Sequence, residues 1–334
     1  MVGLMDATLS SIRTTADALA LIAPDMAGMD QVIAQRLHTQ VPLVGEVSQY
    51  IISAGGKRLR PALLLLMSGA LGYCEPQRHV LAAVVEFIHT ATLLHDDVVD
   101  DSSLRRGRAT ANVSFGNPAS VLVGDFLYSR AFQMMVECGS MRIMDVLAET
   151  TNVIAEGEVQ QLMNTHDASL SEAGYIEVIR SKTAKLFEAS ARIPAILAGS
   201  DRQTEQACAA YGQALGTAFQ IIDDVLDYEG DTVQTGKNLG DDLREGKNTL
   251  PLIIAMQRCA PADRELIRSA IEQGDASHMD RIVDLVQDCG AMQATRAAAA
   301  HQARVALDTL SVLPPTEYRL ALMVLAEQLI GRDH

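Results

Sequence analysis

The sequence predicts an all-α protein folded as one large helical bundle, and three observations carry that expectation. Aromatic residues make up only 4% of the 334 residues and Trp is absent, whereas Ala, Leu, Met, Glu and Gln are plentiful, a balance that favours helix over sheet. Hydrophobic residues reach 48% against 21% charged, well outside the composition of disordered chains. Segments 81–94, 207–226 and 250–256 are apolar on nearly every face, as expected of helices surrounded by other helices.

Breaks of glycine, proline and polar residues divide the chain into about ten or more helices. They fall at Gly55-Gly56, 72–76, 116–118, Gly139-Ser140, 167–174, 199–201, 230–246, Gly274 and Pro314-Pro315. A helix is expected to begin near Asp125, and another to end at the acidic run that opens with Asp96. The apolar run 61–74 is too short to span a bilayer, which takes ~20 residues. Apart from the Ala-rich stretch 294–300 there is no low-complexity tract, no solenoid-length repeat and no linker, so residues 1–334 read as a single domain.

The chain carries 27 Lys and Arg against 42 Asp and Glu, a formal charge of −15, which argues against binding nucleic acid or an anionic membrane nonspecifically. Any anion it binds must be held by a local basic cluster or by metal. Five scattered cysteines with no CxxC pair suggest reduced thiols rather than a disulfide framework or a zinc site. Residues 1–20 lack a basic region followed by an apolar one, so no signal peptide is expected. A soluble, cytoplasmic protein is the expectation.

Two acidic clusters carry the chemistry. His95-Asp96-Asp97-Val98-Val99-Asp100-Asp101 places four carboxylates at the end of a strongly apolar helix, a costly arrangement unless cations neutralise them. Asp96 and Asp100 are one helical turn apart, a spacing that presents oxygens to hard divalent cations; Mg²⁺ takes few protein ligands when substrate phosphates complete its octahedron. Gln220-Ile221-Ile222-Asp223-Asp224-Val225-Leu226-Asp227 repeats the pattern, with Asp223 and Asp227 one turn apart. A single DDxxD is readily an acidic, solvated helix end, but two copies after apolar helices look like two walls of a multi-Mg²⁺ site for a diphosphate.

Basic residues beside glycines complete the set. Gly55-Gly56-Lys57-Arg58-Leu59-Arg60-Pro61 puts three cations on a turn entering a helix, where backbone N–H groups also favour phosphate. Arg105-Arg106-Gly107 follows the first acidic cluster, and Lys182-Thr183, Lys237 and Lys247 lie near polar breaks of the second half. Each alone would pass as a solubilising charge. His89, seven residues before Asp96 and on roughly the same helix face, would in isolation be an ordinary core histidine; its position makes it a phosphate contact.

Taken together, these segments resemble the trans-isoprenyl diphosphate synthase family, specifically its long-chain octaprenyl to decaprenyl members. The matching pieces are 55–61, Glu86-Phe87-Ile88-His89-Thr90, 94–107, Gly124-Asp125-Phe126-Leu127, Lys182-Thr183, 219–224 and 236–251. The resemblance implies an isoprenoid synthase bundle with a central apolar tunnel. It also implies a 1′-4 condensation, in which an allylic diphosphate such as farnesyl or geranylgeranyl diphosphate ionises and isopentenyl diphosphate attacks the cation. By carry-over, two or three Mg²⁺ ions would be held by Asp96, Asp100, Asp223 and Asp227, with Asp97 and Asp224 as secondary or water-shell candidates. Arg105, Lys182, Lys237 and Lys247 would stabilise the leaving diphosphate. Lys57, Arg60, His89 and Arg106 would hold isopentenyl diphosphate, with Arg58 able to replace one of them. Thr183 and Gln220 would lie near the allylic diphosphate and the developing cation.

The same resemblance implies a homodimer with transient membrane contact for product release, while the charge and the short apolar runs imply no nucleic-acid partner and no transmembrane segment. The product expected is a long all-trans chain of the quinone side-chain type, with a geranylgeranyl or farnesyl product as the alternative. That preference rests on Ala91, about 7 Å down the helix from Asp96 at 1.5 Å per residue, and on Thr92, both small. Phe132, Met134 and Met135 are candidates for a deeper floor. A class I terpene cyclase would share the fold and the first DDxxD, but the second DDxxD and the Lys57/Arg60 cluster decide against it. A ferritin-like carboxylate bundle needs two Glu-x-x-His motifs, and only Glu86 begins one here. A purely structural bundle would have no reason to gather these charges at helix ends.

Overall fold

The computed structural model of the chain describes residues 12–229 and 240–331, and within them the backbone is almost entirely helical. The first half comprises α1 (Thr15–Leu21), α2 (Ala23–Arg36), α3 (Pro42–Ser53), α4 (Leu59–Ala70), α5 (Gln77–Val99), α6 (Ala111–Phe115), α7 (Asn117–Glu137) and α8 (Met141–Asn164). Then come α9 (Glu172–Ile179), a π turn (Arg180–Ala184), α10 (Lys185–Leu197), α11 (Arg202–Glu229) and α12 (Asp241–Arg244). The C-terminal layer is α13 (Leu250–Arg258), α14 (Pro261–Gln273), α15 (Met279–Asp288), α16 (Ala291–Thr309) and α17 (Glu317–Ile330).

Local signals explain where these helices start. Thr14 and Asp17 form a reciprocal capping box on α1, while the Ser140, Ser171 and Thr316 hydroxyls accept the first free N–H groups of α8, α9 and α17. Proline occupies the first turn of α2, α3, α7, α13 and α14, where its missing donor costs nothing. Pro118 thus starts α7 at Asn117, eight residues ahead of the start expected near Asp125.

Packing follows from how apolar each helix is. Ten of the twelve residues of α4 are buried, so no face of it is left for water, and Leu63 to Leu66 each stabilise the fold by roughly 1.5–3 kcal/mol through burial. Two apolar cores form, one among α1–α5, α7, α8, α10 and α17, the other among α9 and α13–α16. Helix α11 belongs to both: Cys208, Tyr211, Ala214, Leu215 and Ala218 pack into the first, Ile221, Ile222, Val225 and Tyr228 into the second. Its acidic end therefore emerges where the two cores meet. All five cysteines are free thiols. No helix among the described residues is long and apolar enough to cross a membrane.

Two local features escaped the sequence reading. Residues Leu104–Arg105 and Arg108–Ala109 pair as a minimal antiparallel hairpin. Its two central residues, Arg106 (φ 55°) and Gly107 (φ 72°), are both left-handed, as a hairpin turn twisted to match its strands requires. The second is the π turn carrying Lys182 and Thr183, whose wider winding interrupts an otherwise continuous helix between α9 and α10.

Candidate active site

A cavity of about 630 Å³ opens between the ends of α4, α5, α8, α9, α11 and α12. Its first wall is the C-terminus of α5. Carboxylates there face the negative end of the helix dipole, so they lower stability unless a cation meets them. Asp96 and Asp100 both line the cavity. Burial pushes the Asp96 carboxyl up; Lys182 opposes the shift and Asp100 adds to it. Lys182 Nζ lies 3.8 Å from Asp96 Oδ2, and Lys247 Nζ donates to Asp100 Oδ2 at 3.0 Å.

Asp97 points the other way. It is fully buried, does not line the cavity, and its Oδ1 accepts from Arg105 Nε and Nη2 at 2.8 and 2.7 Å. The expectation of a secondary metal role gives way to a structural one: Asp97 clamps Arg105, which does line the cavity. The cause is helical phase, since one residue past Asp96 the side chain has turned ~100° into the core.

The second wall is the C-terminal half of α11. Phe219, Gln220, Asp223 and Asp224 line the cavity, and Asp223 is exposed to it. Asp224 is buried, accepting from Tyr175 O–H at 2.6 Å and from Gln220 Nε2 at 2.9 Å. Burial pushes its carboxyl well up, and Asp242 adds to the shift. Gln220 Oε1 in turn accepts from Thr183 O–H at 3.0 Å, so the amide is fixed from both ends. Asp227 does not line the cavity: its carbonyl accepts from Gly240 N–H at 3.0 Å and its Oδ2 from Asp242 N–H at 3.3 Å. A carboxylate expected to bind metal instead anchors the entry to α12. Lys237 lies outside the described residues.

The basic side of the cavity comes from the turn before α4 and from the hairpin. Lys57, Arg58, Arg60, His89, Arg105 and Arg106 all line it. Arg58 is drawn aside by ion pairs with Asp30 and, at 3.8 Å, with Glu86. The Arg60 guanidinium stacks on Phe187, 4.6 Å from the ring centroid, and its Nη1 lies 3.2 Å from His89 Nε2. Burial lowers the Arg60 pKa to about 10, which leaves it charged at neutral pH, and its buried Nε has no hydrogen-bond partner. Burial, then Arg60, Arg106 and Arg105, hold His89 well below its usual range. The ring is neutral, and with Nε2 accepting from Arg60 its proton is assigned to Nδ1. A buried arginine with an unused donor beside a neutral imidazole suits an anion.

Sequence reading missed five contributors. Glu158 lines the cavity from α8 and accepts from Lys182 Nζ at 2.6 Å, its carboxyl pushed up to about 7 by burial against the pull of that lysine. Asp241, Asp242 and Glu245 add carboxylates from α12 and the turn after it, with Glu245 bonded to Lys247. Tyr175 reaches in from α9. None belongs to a repeated motif; only the acidic run Asp241-Asp242 beside Lys247 gave a visible signal.

The chain-length residues divide. Thr92 and Leu93 line the cavity. Ala91 is fully buried and does not, because at ~100° per residue it sits about 140° around the helix from Asp96, whereas Thr92 sits about 40° away. Met134 and Met135 are buried in the first core, and Phe132 is 37% exposed on the outer face of α7. None of those three lines the cavity. Leu170, Val178, Ile179, Phe187 and Phe219 provide apolar lining.

The residues suit a hard divalent cation. Carboxylates from two helix ends face one cavity, with lysines standing against the first of them. Among the described residues no three His, Cys, Asp or Glu side chains form a ready-made cage.

Comparison with known proteins gives the same direction. Residues 41–288 match the model of the polyprenyl synthetase family. The chain is 52% identical to octaprenyl diphosphate synthase of Escherichia coli (strain K12) over 315 residues, 94% of this chain and 97% of that protein. It superposes on the crystal structure of polyprenyl synthase from Caulobacter crescentus CB15 complexed with calcium and isoprenyl diphosphate with a TM-score of 0.93, at 44% identity, covering 96% of this chain and 98% of that one. A decaprenyl diphosphate synthase structure from Rhodobacter capsulatus gives 0.91, 44% identity, and coverage of 96% and 99%. With two acidic helix ends and a cluster of basic residues lining one cavity, and relatives of this similarity along nearly its whole length, the chain belongs to the polyprenyl synthetase family.

Proposed function

We propose that the protein is a cytoplasmic, Mg²⁺-dependent prenyltransferase. It extends farnesyl or geranylgeranyl diphosphate by successive trans 1′-4 condensations with isopentenyl diphosphate to a long polyprenyl diphosphate used as a quinone side chain. The observation that carries this reading is the single cavity flanked by Asp96 and Asp100 on one helix end, Asp223 on another, and Arg60, Arg105 and Arg106 between them.

Loss of diphosphate from the allylic substrate concentrates negative charge on the leaving group, so preorganised cations lower the barrier most. Mg²⁺ at Asp96, Asp100 and Asp223 would supply Lewis-acid neutralisation of that charge. Lys182, Lys247 and Arg105, the last locked by Asp97, present further positive charge to the same oxygens. Arg60, Arg106 and Lys57 hold isopentenyl diphosphate, which must be bound but not ionised. The Gln220 oxygen, oriented by Thr183 and through Asp224 by Tyr175, faces the developing allylic cation. Phe187 and Phe219 keep water from it.

Two copies complete the particle. Val121, Leu122, Phe132 and Val136 fall within about 100° of one another on α7, and Met141, Val159, Leu162 and Met163 on α8 are 58–78% exposed. So apolar a face on a soluble enzyme is covered by a second copy of the chain, and this is where Phe132 belongs.

The test is incubation with farnesyl diphosphate, labelled isopentenyl diphosphate and Mg²⁺, followed by sizing of the extracted chains. A ladder ending at one long product is expected; a product of three or four units would favour the shorter-chain alternative, and no product would refute the reading. Thr92→Phe, which puts an aromatic ring on the cavity wall one turn below Asp96, should shorten the final product and leave the first condensation running. An unchanged ladder in that variant would show that the chain grows elsewhere.

A further inference from the structure

Lys182 approaches the first aspartate wall from across the cavity, carried on the π turn rather than on a regular helix. A lysine on such a turn has a long, freely rotating stem, and nothing in its own element fixes where the ammonium rests. What fixes it comes from α8. Gly157 lets α8 pass unusually close: a Cβ there would stand 2.8 Å from Ser181 Cβ and 2.9 Å from the Lys182 backbone nitrogen. One residue on, the Glu158 side chain faces the cavity and accepts from Lys182 Nζ at 2.6 Å. The contact from Lys182 to Asp96 is longer, 3.8 Å.

Glu158 is otherwise hard to account for. It adds negative charge to a cavity that already holds Asp96, Asp100, Asp223, Asp241 and Asp242, which by itself opposes an anionic substrate. Resting on the reading of this cavity as an allylic diphosphate site, we propose that Glu158 is a positioning residue: through its hydrogen bond it holds the Lys182 ammonium beside the first aspartate wall, so that the diphosphate meets a fixed cation. Were Asp96 to hold a divalent cation, its longer contact to Lys182 would weaken, and the shorter one to Glu158 would still keep the lysine in place. The close passage at Gly157 sets the distance that a glutamate side chain spans.

The test is a double-mutant cycle on the full-length protein, with Glu158→Ala, Lys182→Ala and the double variant. It is read as kcat and KM for each substrate and as the dissociation constant of inorganic pyrophosphate in Mg²⁺ by calorimetry. Glu158→Ala should lower kcat/KM for the allylic diphosphate by about tenfold and leave the KM for isopentenyl diphosphate unchanged, and Lys182→Ala should lower it by about a hundredfold. The double variant should be no worse than Lys182→Ala, in turnover and in pyrophosphate affinity alike. Glu158→Gln, whose amide oxygen still accepts from an ammonium, should recover part of the loss, and it carries the cycle where Glu158→Ala does not fold. Losses that multiply in the double variant, or wild-type constants in both Glu158 variants, would overturn the proposal. A wild-type protein that binds pyrophosphate without condensing prenyl diphosphates would instead refute the functional reading, and the calorimetric cycle would still decide the role of Glu158.

Discussion

Asp96→Ala and Asp223→Ala each lower kcat by about three orders of magnitude or more, equivalent to ~4 kcal/mol of lost transition-state stabilisation. Asp96→Ala leaves Asp100 alone on the first wall, Asp223→Ala removes the exposed carboxylate of the second, and what remains cannot neutralise a departing diphosphate. Stability should move the opposite way. Asp96 sits at the negative end of α5, with its carboxyl pushed up by burial, so its removal takes away an unfavourable charge. The melting temperature of Asp96→Ala is therefore expected to equal or exceed that of the wild type, with an unchanged helical circular-dichroism spectrum. Asp97→Ala is the informative contrast. It strands Arg105 without its buried partner, so both folding and turnover should suffer. Near-normal turnover in Asp96→Ala or Asp223→Ala would rule out the two-wall site.

Arg60→Ala has the second-largest expected effect, and it acts on the other substrate. Removing a charge-assisted contact to phosphate costs about 1.5–3 kcal/mol, so the KM for isopentenyl diphosphate should rise roughly 10- to 100-fold. The KM for the allylic substrate should stay within about twofold of wild type, because Arg60 lies on the basic side with His89 and Phe187. Some stability should also be lost: Glu86, already pushed up by burial, keeps Arg58 as its main counter-charge once Arg60 is gone. Steady-state kinetics with each substrate varied in turn separates the two effects, and an equal rise in both KM values would contradict the assignment.

The residues that could be read from the sequence were those whose cost is written locally. Charged groups closing an apolar helix, as at Asp96 and Asp223, are conspicuous because folding rarely leaves carboxylates there without a use. Helix α13 and the shared helix α11 were visible as runs apolar on nearly every face. What periodicity could not give was the phase of neighbours within a motif. Asp97 and Asp227 belong to the same DDxxD patterns as Asp96 and Asp223, yet one clamps Arg105 in the core and the other ties down α12. Ala91 and Thr92 differ by one position, and only Thr92 meets the cavity.

Contributions from distant segments were the least legible. Glu158 and Tyr175 enter the site only because α8 and α9 dock where they do, and no spacing in their own helices announces it. The π turn is equally silent: residues 180–184 have ordinary helix composition, and its wider winding is seen only in the folded chain. Phe132 misled for a related reason, since an aromatic on an apolar helix reads as core whether it faces inward or outward.

The most direct measurement of the central claim is calorimetric titration of inorganic pyrophosphate into the wild-type protein with Mg²⁺ and with chelator, repeated in Asp223→Ala. If opposed carboxylate walls bind the diphosphate through divalent cations, affinity appears only with Mg²⁺ and is lost in the variant. Equal affinity in chelator, or an unaltered titration in Asp223→Ala, would mean that the basic residues alone bind the anion and that the second wall has no part in it.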